Sequence, residues 1–77
     1  HWRVAERFSR IAKTFACAVR VSHGDSRADG KSPTDLILLV ALPGAELVLE
    51  VDGEDAGAAL PTLKDILADP GGEDSAA

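Results

Sequence analysis

The 77-residue chain has no methionine, no tyrosine, one cysteine and two histidines. A lone thiol, Cys17, cannot close an internal disulfide. One thiol with His1 and His23 is also no zinc framework, so neither a metal nor another cofactor is expected. A core that stands without staples fits a reducing compartment, and cytoplasmic location is the expectation. Long apolar runs are lacking too. The longest, Leu36 to Leu42, has seven residues where a membrane span needs roughly 18, so neither membrane insertion nor a secretory signal is expected. The lack of an initiator methionine leads us to expect a trimmed or truncated start at His1. At this length only one modest core can form, which excludes a multidomain enzyme.

Bases are the scarce charge, 8 against 13 acids, for a net of −5. That balance argues against a nucleic-acid partner, whose phosphates call for many Lys and Arg. The scarcity is uneven. Residues 1 to 31 carry seven bases against three acids, and residues 32 to 77 carry only Lys64 against ten acids. The two halves therefore have opposite electrostatic characters, which bears on the choice of partner.

From Trp2 to Phe15 the apolar positions Val4, Phe8, Ile11, Ala12 and Phe15 recur at the spacing of an amphipathic helix. Arg3, Arg7 and Arg10, continued by Lys13, form a basic row on the adjoining face. Ala16 to Ser22 alternates around Val19 and Val21 and predicts a strand, followed by a turn at His23-Gly24-Asp25 and a short edge strand from Ser26 to Asp29. In that turn His23 is expected to be a solvated residue. Ser32-Pro33-Thr34-Asp35 is a helix start, with Ser as N-cap, Pro at the first helical position and an acid at the third. Leu36 to Leu42 supplies the body and Pro43-Gly44 the stop. Glu46 to Asp52 then alternates as a half-buried strand, and Gly53-Glu54-Asp55 turns the chain. A last helix carries Leu60, Leu63, Ile66 and Leu67 as its apolar stripe, with a kink or a helix start expected at Pro61. The order α-β-β-α-β-α predicts an α+β domain, an antiparallel sheet with helices packed on one face.

His1-Trp2-Arg3-Val4-Ala5 resembles the His-x-Arg-Pro-Ala active-site segment of the histidine phosphocarrier protein family, HPr, of the bacterial phosphoenolpyruvate-dependent sugar phosphotransferase system. Gly30-Lys31-Ser32 resembles the family's regulatory Ala/Gly-Lys-Ser, at the family's spacing from the histidine. Gly44 and Val51-Asp52-Gly53-Glu54-Asp55 resemble its later turn motifs. The resemblance covers the chain to about Asp69. It implies an open-faced sandwich over residues 1–69 and a flexible tail over 70–77. The family's first strand has no counterpart here, and Val4 stands where the family has Pro.

The resemblance further implies that His1 accepts a phosphoryl group on Nδ1 from Enzyme I and passes it to a sugar-specific A component. The protein would then be a monomeric phosphocarrier and not an enzyme that turns over a small molecule. The chemistry has an independent physical basis. A helix's first turn offers unpaired N–H groups and partial positive charge to a phosphoryl group, a largely neutral imidazole can attack phosphorus, and Arg3 can stabilise the transferring oxygens. Arg7, Arg10, Lys13 and Ile37 are the expected partner-binding residues. Ser32 is an N-cap and, by resemblance, also a target of a serine kinase. Trp2 is either a contact residue or cover for a sheet edge, and Cys17 a small core hydrophobe. A degenerate interaction module that binds partners without carrying phosphate, or a fragment with no function of its own, are the alternatives.

Overall fold

The computed structural model describes residues 2–40 and 46–68. In order these form α1 (Trp2–Ala12), β1 (Cys17–His23), β2 (Ser26–Asp29), α2 (Pro33–Val40), β3 (Val48–Gly53) and α3 (Ala56–Ala68), the α-β-β-α-β-α sequence expected. The strands make one antiparallel sheet in the order β2-β1-β3. Register follows the pleat: Val19 pairs with Val51 and Val21 with both Leu49 and Ala28, all on the face toward the helices. On the other face Arg20 stands directly between Asp29 of β2 and Glu50 of β3, 3.7 Å from the Glu50 carboxylate. Among the described residues that face carries no helix, and the Arg20 and Glu50 side chains on it are exposed.

The core joins Ala5, Phe8 and Ala12 of α1, Leu36 and Leu39 of α2, and Ala59, Leu63 and Ile66 of α3 to Val19, Val21 and Ala28 of the sheet. All three helices therefore cover one face of the sheet, which is the α+β open-faced arrangement.

Several boundaries differ from expectation for local reasons. α1 ends at Ala12 and not at Phe15, because the Thr14 and Phe15 amides donate to the carbonyls three residues back, Ile11 and Ala12, and tighten the last turn. Thr14 Oγ1 also donates to the Ile11 carbonyl at 2.6 Å, a local bond that competes with helix continuation. His23 belongs to β1, paired with Ser26. It is half-buried, and its Nε2 is out of solvent with no hydrogen-bond partner, contrary to the solvated turn residue expected. The hairpin turn itself is Gly24-Asp25, with Gly24 at φ +60°, the left-handed backbone that a two-residue turn demands of its first position.

In α3, the helix begins at Ala56, five residues ahead of Pro61, and runs through it. Proline at this place forfeits the bond to the carbonyl of Gly57 and brings its ring against that carbonyl, yet the helix continues to Ala68. The buried stripe is Ala59, Leu63 and Ile66; Leu60, expected within it, lies at its margin and is 38% exposed. β3 begins at Val48, two residues later than Glu46. The expected stop at Pro43-Gly44 and the tail over 70–77 lie outside the described residues.

Candidate functional site

The site is built on α1. Its inward face is made by Ala5, Phe8, Ser9 and Ala12, with Val4 and Ile11 partly buried beside them. Ala5 and Ser9 were not legible as core from hydrophobicity, since alanine is small and serine polar. Ser9 is tolerated inside because its hydroxyl donates to the Glu6 carbonyl at 3.0 Å. With that face fixed against the sheet, the positions three and four residues apart on the flank are fixed too. Arg3 and Arg10 are exposed and Arg7 is half-buried, a row running the length of the helix, with Lys13 exposed just beyond its end.

The starts of α1 and α2 differ in their electrostatics. α2 opens in the ordinary way: Ser32 Oγ accepts from the Asp35 amide at 3.3 Å, and Asp35 places an acid in the first turn against the helix dipole. The first turn of α1 contains no acid, and its second residue is Arg3. Positive charge there is added to the positive pole of the helix. The backbone amides of a helix's first turn and a basic side chain beside them are both groups that can receive an anion.

His1 lies outside the described residues, as does the side chain of Trp2. Arg3, Arg7, Arg10 and Lys13 are brought to one side of the molecule by α1. Ile37 sits on α2, which packs against α1, and is 38% exposed; its neighbour Leu38, at 67%, extends the apolar surface in a way the sequence reading did not single out. Ser32 is half-buried at the start of α2.

Two further residues fasten the turn that follows α1. Lys31 Nζ donates to the Phe15 carbonyl at 3.0 Å, and Asp55 Oδ2 accepts from the Ala16 amide at 2.7 Å. Both contacts fall on the turn that follows α1, the end opposite Arg3. Nothing in local pattern announces either pair, because the partners are 16 and 39 residues apart.

The depression of about 950 Å³ on the sheet, lined by Arg20, Arg27, Asp29, Glu50 and Asp52 among others, includes no residue of α1. Arg3, Arg7, Arg10 and Lys13 do not line it. Among the described residues no group of His, Cys, Asp and Glu is placed to hold a metal ion, and no helix is long and apolar enough to cross a membrane.

A family model described as the PTS HPr component phosphorylation site matches residues 1–69. The phosphocarrier protein HPr of Neisseria meningitidis serogroup A is 37% identical over 67 residues, covering 87% of this chain and 75% of the relative. The HPr of Cupriavidus necator is 30% identical over 73 residues, covering 95% and 82%. Among solved structures, Bacillus subtilis Crh, described as a catabolite repression containing protein and a swapped dimer, superposes with a TM-score of 0.80 at 28% identity, over 90% of this chain and 79% of that one. An HPr dimer from Thermoanaerobacter tengcongensis superposes with a TM-score of 0.79 at 24% identity, over 91% and 80%.

Proposed function

This chain belongs to the HPr family, whose members are phosphocarriers and not enzymes, and from that premise we propose that His1 is its phosphoacceptor. A phosphoryl group enters from phosphorylated Enzyme I: a bond from an imidazole nitrogen of His1 to phosphorus forms as the donor's bond breaks. It leaves to a sugar-specific A component by the same exchange in reverse. Arg3 stabilises the charge on the transferring oxygens, assisted by the backbone amides of the helix's first turn. Arg7, Arg10 and Lys13 steer acidic partner surfaces into register, and Ile37 contributes apolar contact beside them. The protein acts as a monomeric domain over residues 1–69 in the cytoplasm of a bacterium. Ser32, at the start of α2, is the site at which a serine kinase adjusts the docking surface.

The observation that carries this reading is the position of Arg3 in the first turn of α1, within the segment that the family's phosphorylation-site model matches. The test is incubation with Enzyme I and labelled phosphoenolpyruvate. An acid-labile label that disappears in His1→Ala is expected; a folded protein that takes up no label overturns the proposal. Size-exclusion chromatography with light scattering checks the monomer, the dimers named for the two structural relatives being the contrary outcome.

Val4 favours a second reading. It replaces the proline of the family's active-site segment, and the fold superposes on Crh at a TM-score of 0.80. On this reading the protein is a regulatory module that binds its partners without carrying phosphate. Partner affinity unchanged by His1→Ala, together with absent labelling, distinguishes it from the first.

A further inference from the structure

Gly30, Lys31 and Ser32 each have a separate structural task. Gly30 donates its amide to the Val19 carbonyl at 2.8 Å, so close to β1 that a Cβ would stand 2.3 Å from Val19 Cγ1. Lys31 donates its amide to Asp29 Oδ1 at 3.0 Å and sends its ammonium to the Phe15 carbonyl at 3.0 Å. Ser32 donates its amide to the Asp29 carbonyl at 3.0 Å and caps α2 through its hydroxyl. Asp35, which that hydroxyl caps, accepts from the Asp29 amide at 3.4 Å. The Ser32 hydroxyl is therefore set in a short turn that already contains two carboxylates, and the cation adjoining it in the chain, Lys31, is committed elsewhere.

We infer that Lys31 is a releasable clasp, whose ammonium leaves the Phe15 carbonyl for an anionic group at position 32 and so loosens the turn behind α1. The inference rests on the reading of Ser32 as a site that acquires charge. Its physical basis is a competition. The clasp joins a cation to a neutral carbonyl, whereas an anion at position 32 offers the same ammonium the attraction of a full opposite charge as well as a hydrogen bond. The anion also sits beside Asp29 and Asp35, and recruiting Lys31 relieves that repulsion. Lysine suits the role because its four-carbon stem turns freely and its charge is a point donor without fixed geometry. When it leaves, Asp55 still holds Ala16, so the turn loosens without unfolding. The turn behind α1 is then held by Asp55 alone, while the helix keeps its packing in the core.

Amide hydrogen exchange at Thr14, Phe15 and Ala16 reads the state of the turn directly. Ser32→Glu and Lys31→Met are each expected to speed exchange at these amides about fivefold to tenfold, the loss of one hydrogen bond that is only partly buried. The double variant is expected to exchange no faster than either single one, because both remove the same contact. Ser32→Gln, neutral and of the same shape as the glutamate, is expected to leave exchange at the wild-type rate. Unchanged exchange in Ser32→Glu, equal acceleration by Ser32→Gln, or fully additive effects in the double variant overturns the clasp. Should Lys31→Met not fold, the comparison of glutamate with glutamine at position 32 decides alone. No phosphoryl donor enters these measurements, so failure here is separate from failure of the labelling test.

Discussion

Asp55 holds Ala16 by both of its backbone groups: its carboxylate accepts from the Ala16 amide at 2.7 Å, and its own amide donates to the Ala16 carbonyl at 3.2 Å. The same residue uses its carbonyl to receive the Ala58 and Ala59 amides at the start of α3. One aspartate thus binds the turn after α1 to the beginning of the last helix. Asp55→Ala removes the carboxylate bond and is expected to lower stability by about 1 kcal/mol, read from urea denaturation, with faster amide exchange at Ala16.

Gly30 tests how tightly the turn before α2 lies against β1. Gly30→Ala puts a methyl carbon 2.3 Å from Val19 Cγ1 and 2.9 Å from Val19 Cβ, neither of which is the far end of a flexible chain. A loss of about 1–3 kcal/mol is expected from this overpacking, and Val19→Ala in the same chain should recover part of it. Equilibrium unfolding of the two single variants and the double variant checks both statements.

The orientation of α3 is open to a paired substitution. Leu63 is fully buried and Leu60 is 38% exposed. Leu63→Ala should cost about 2–5 kcal/mol, and Leu60→Ala about 1 kcal/mol or less. Thermal or urea unfolding that ranks them the other way round would mean that the helix presents a different face.

The basic row should act through rate more than through fold. Arg10 is exposed, so Arg10→Glu is expected to change stability by about 0.5 kcal/mol or less while slowing association with an acidic phosphotransferase partner at low salt. Raising the ionic strength toward 1 M, where the screening length falls to about 3 Å, should bring wild type and variant together. Stopped-flow association measured across a salt series reads this.

The elements were legible where one residue type carried one unambiguous job. Ser32-Pro33 announced α2, Gly24 the hairpin, and the alternation of Val19 and Val21 the central strand. Errors arose where two signals competed. Phe15 continues the apolar stripe of α1 and does pack against the core, yet it reaches it from a turn, because Thr14 bends the backbone before it. Leu60 outranks Ala59 in hydrophobicity, but the helix turns alanine inward, where closely packed elements leave little room. The row Arg3, Arg7, Arg10 was legible from spacing alone. The fastenings behind it, Lys31 to Phe15 and Asp55 to Ala16, were not, since a contact across 16 or 39 residues leaves no periodic trace.

Those fastenings also set an order of assembly. Both grips on the turn behind α1 are supplied by residues made after it, and the double grip of Asp55 comes from the last third of the chain. A nascent chain that has exposed only α1 and the hairpin can shape its basic helix but has nothing to lock that helix in place. The basic row is encoded first and its fastenings are completed last, so a chain whose synthesis stops short of Asp55 would hold the turn behind those charges by Lys31 alone.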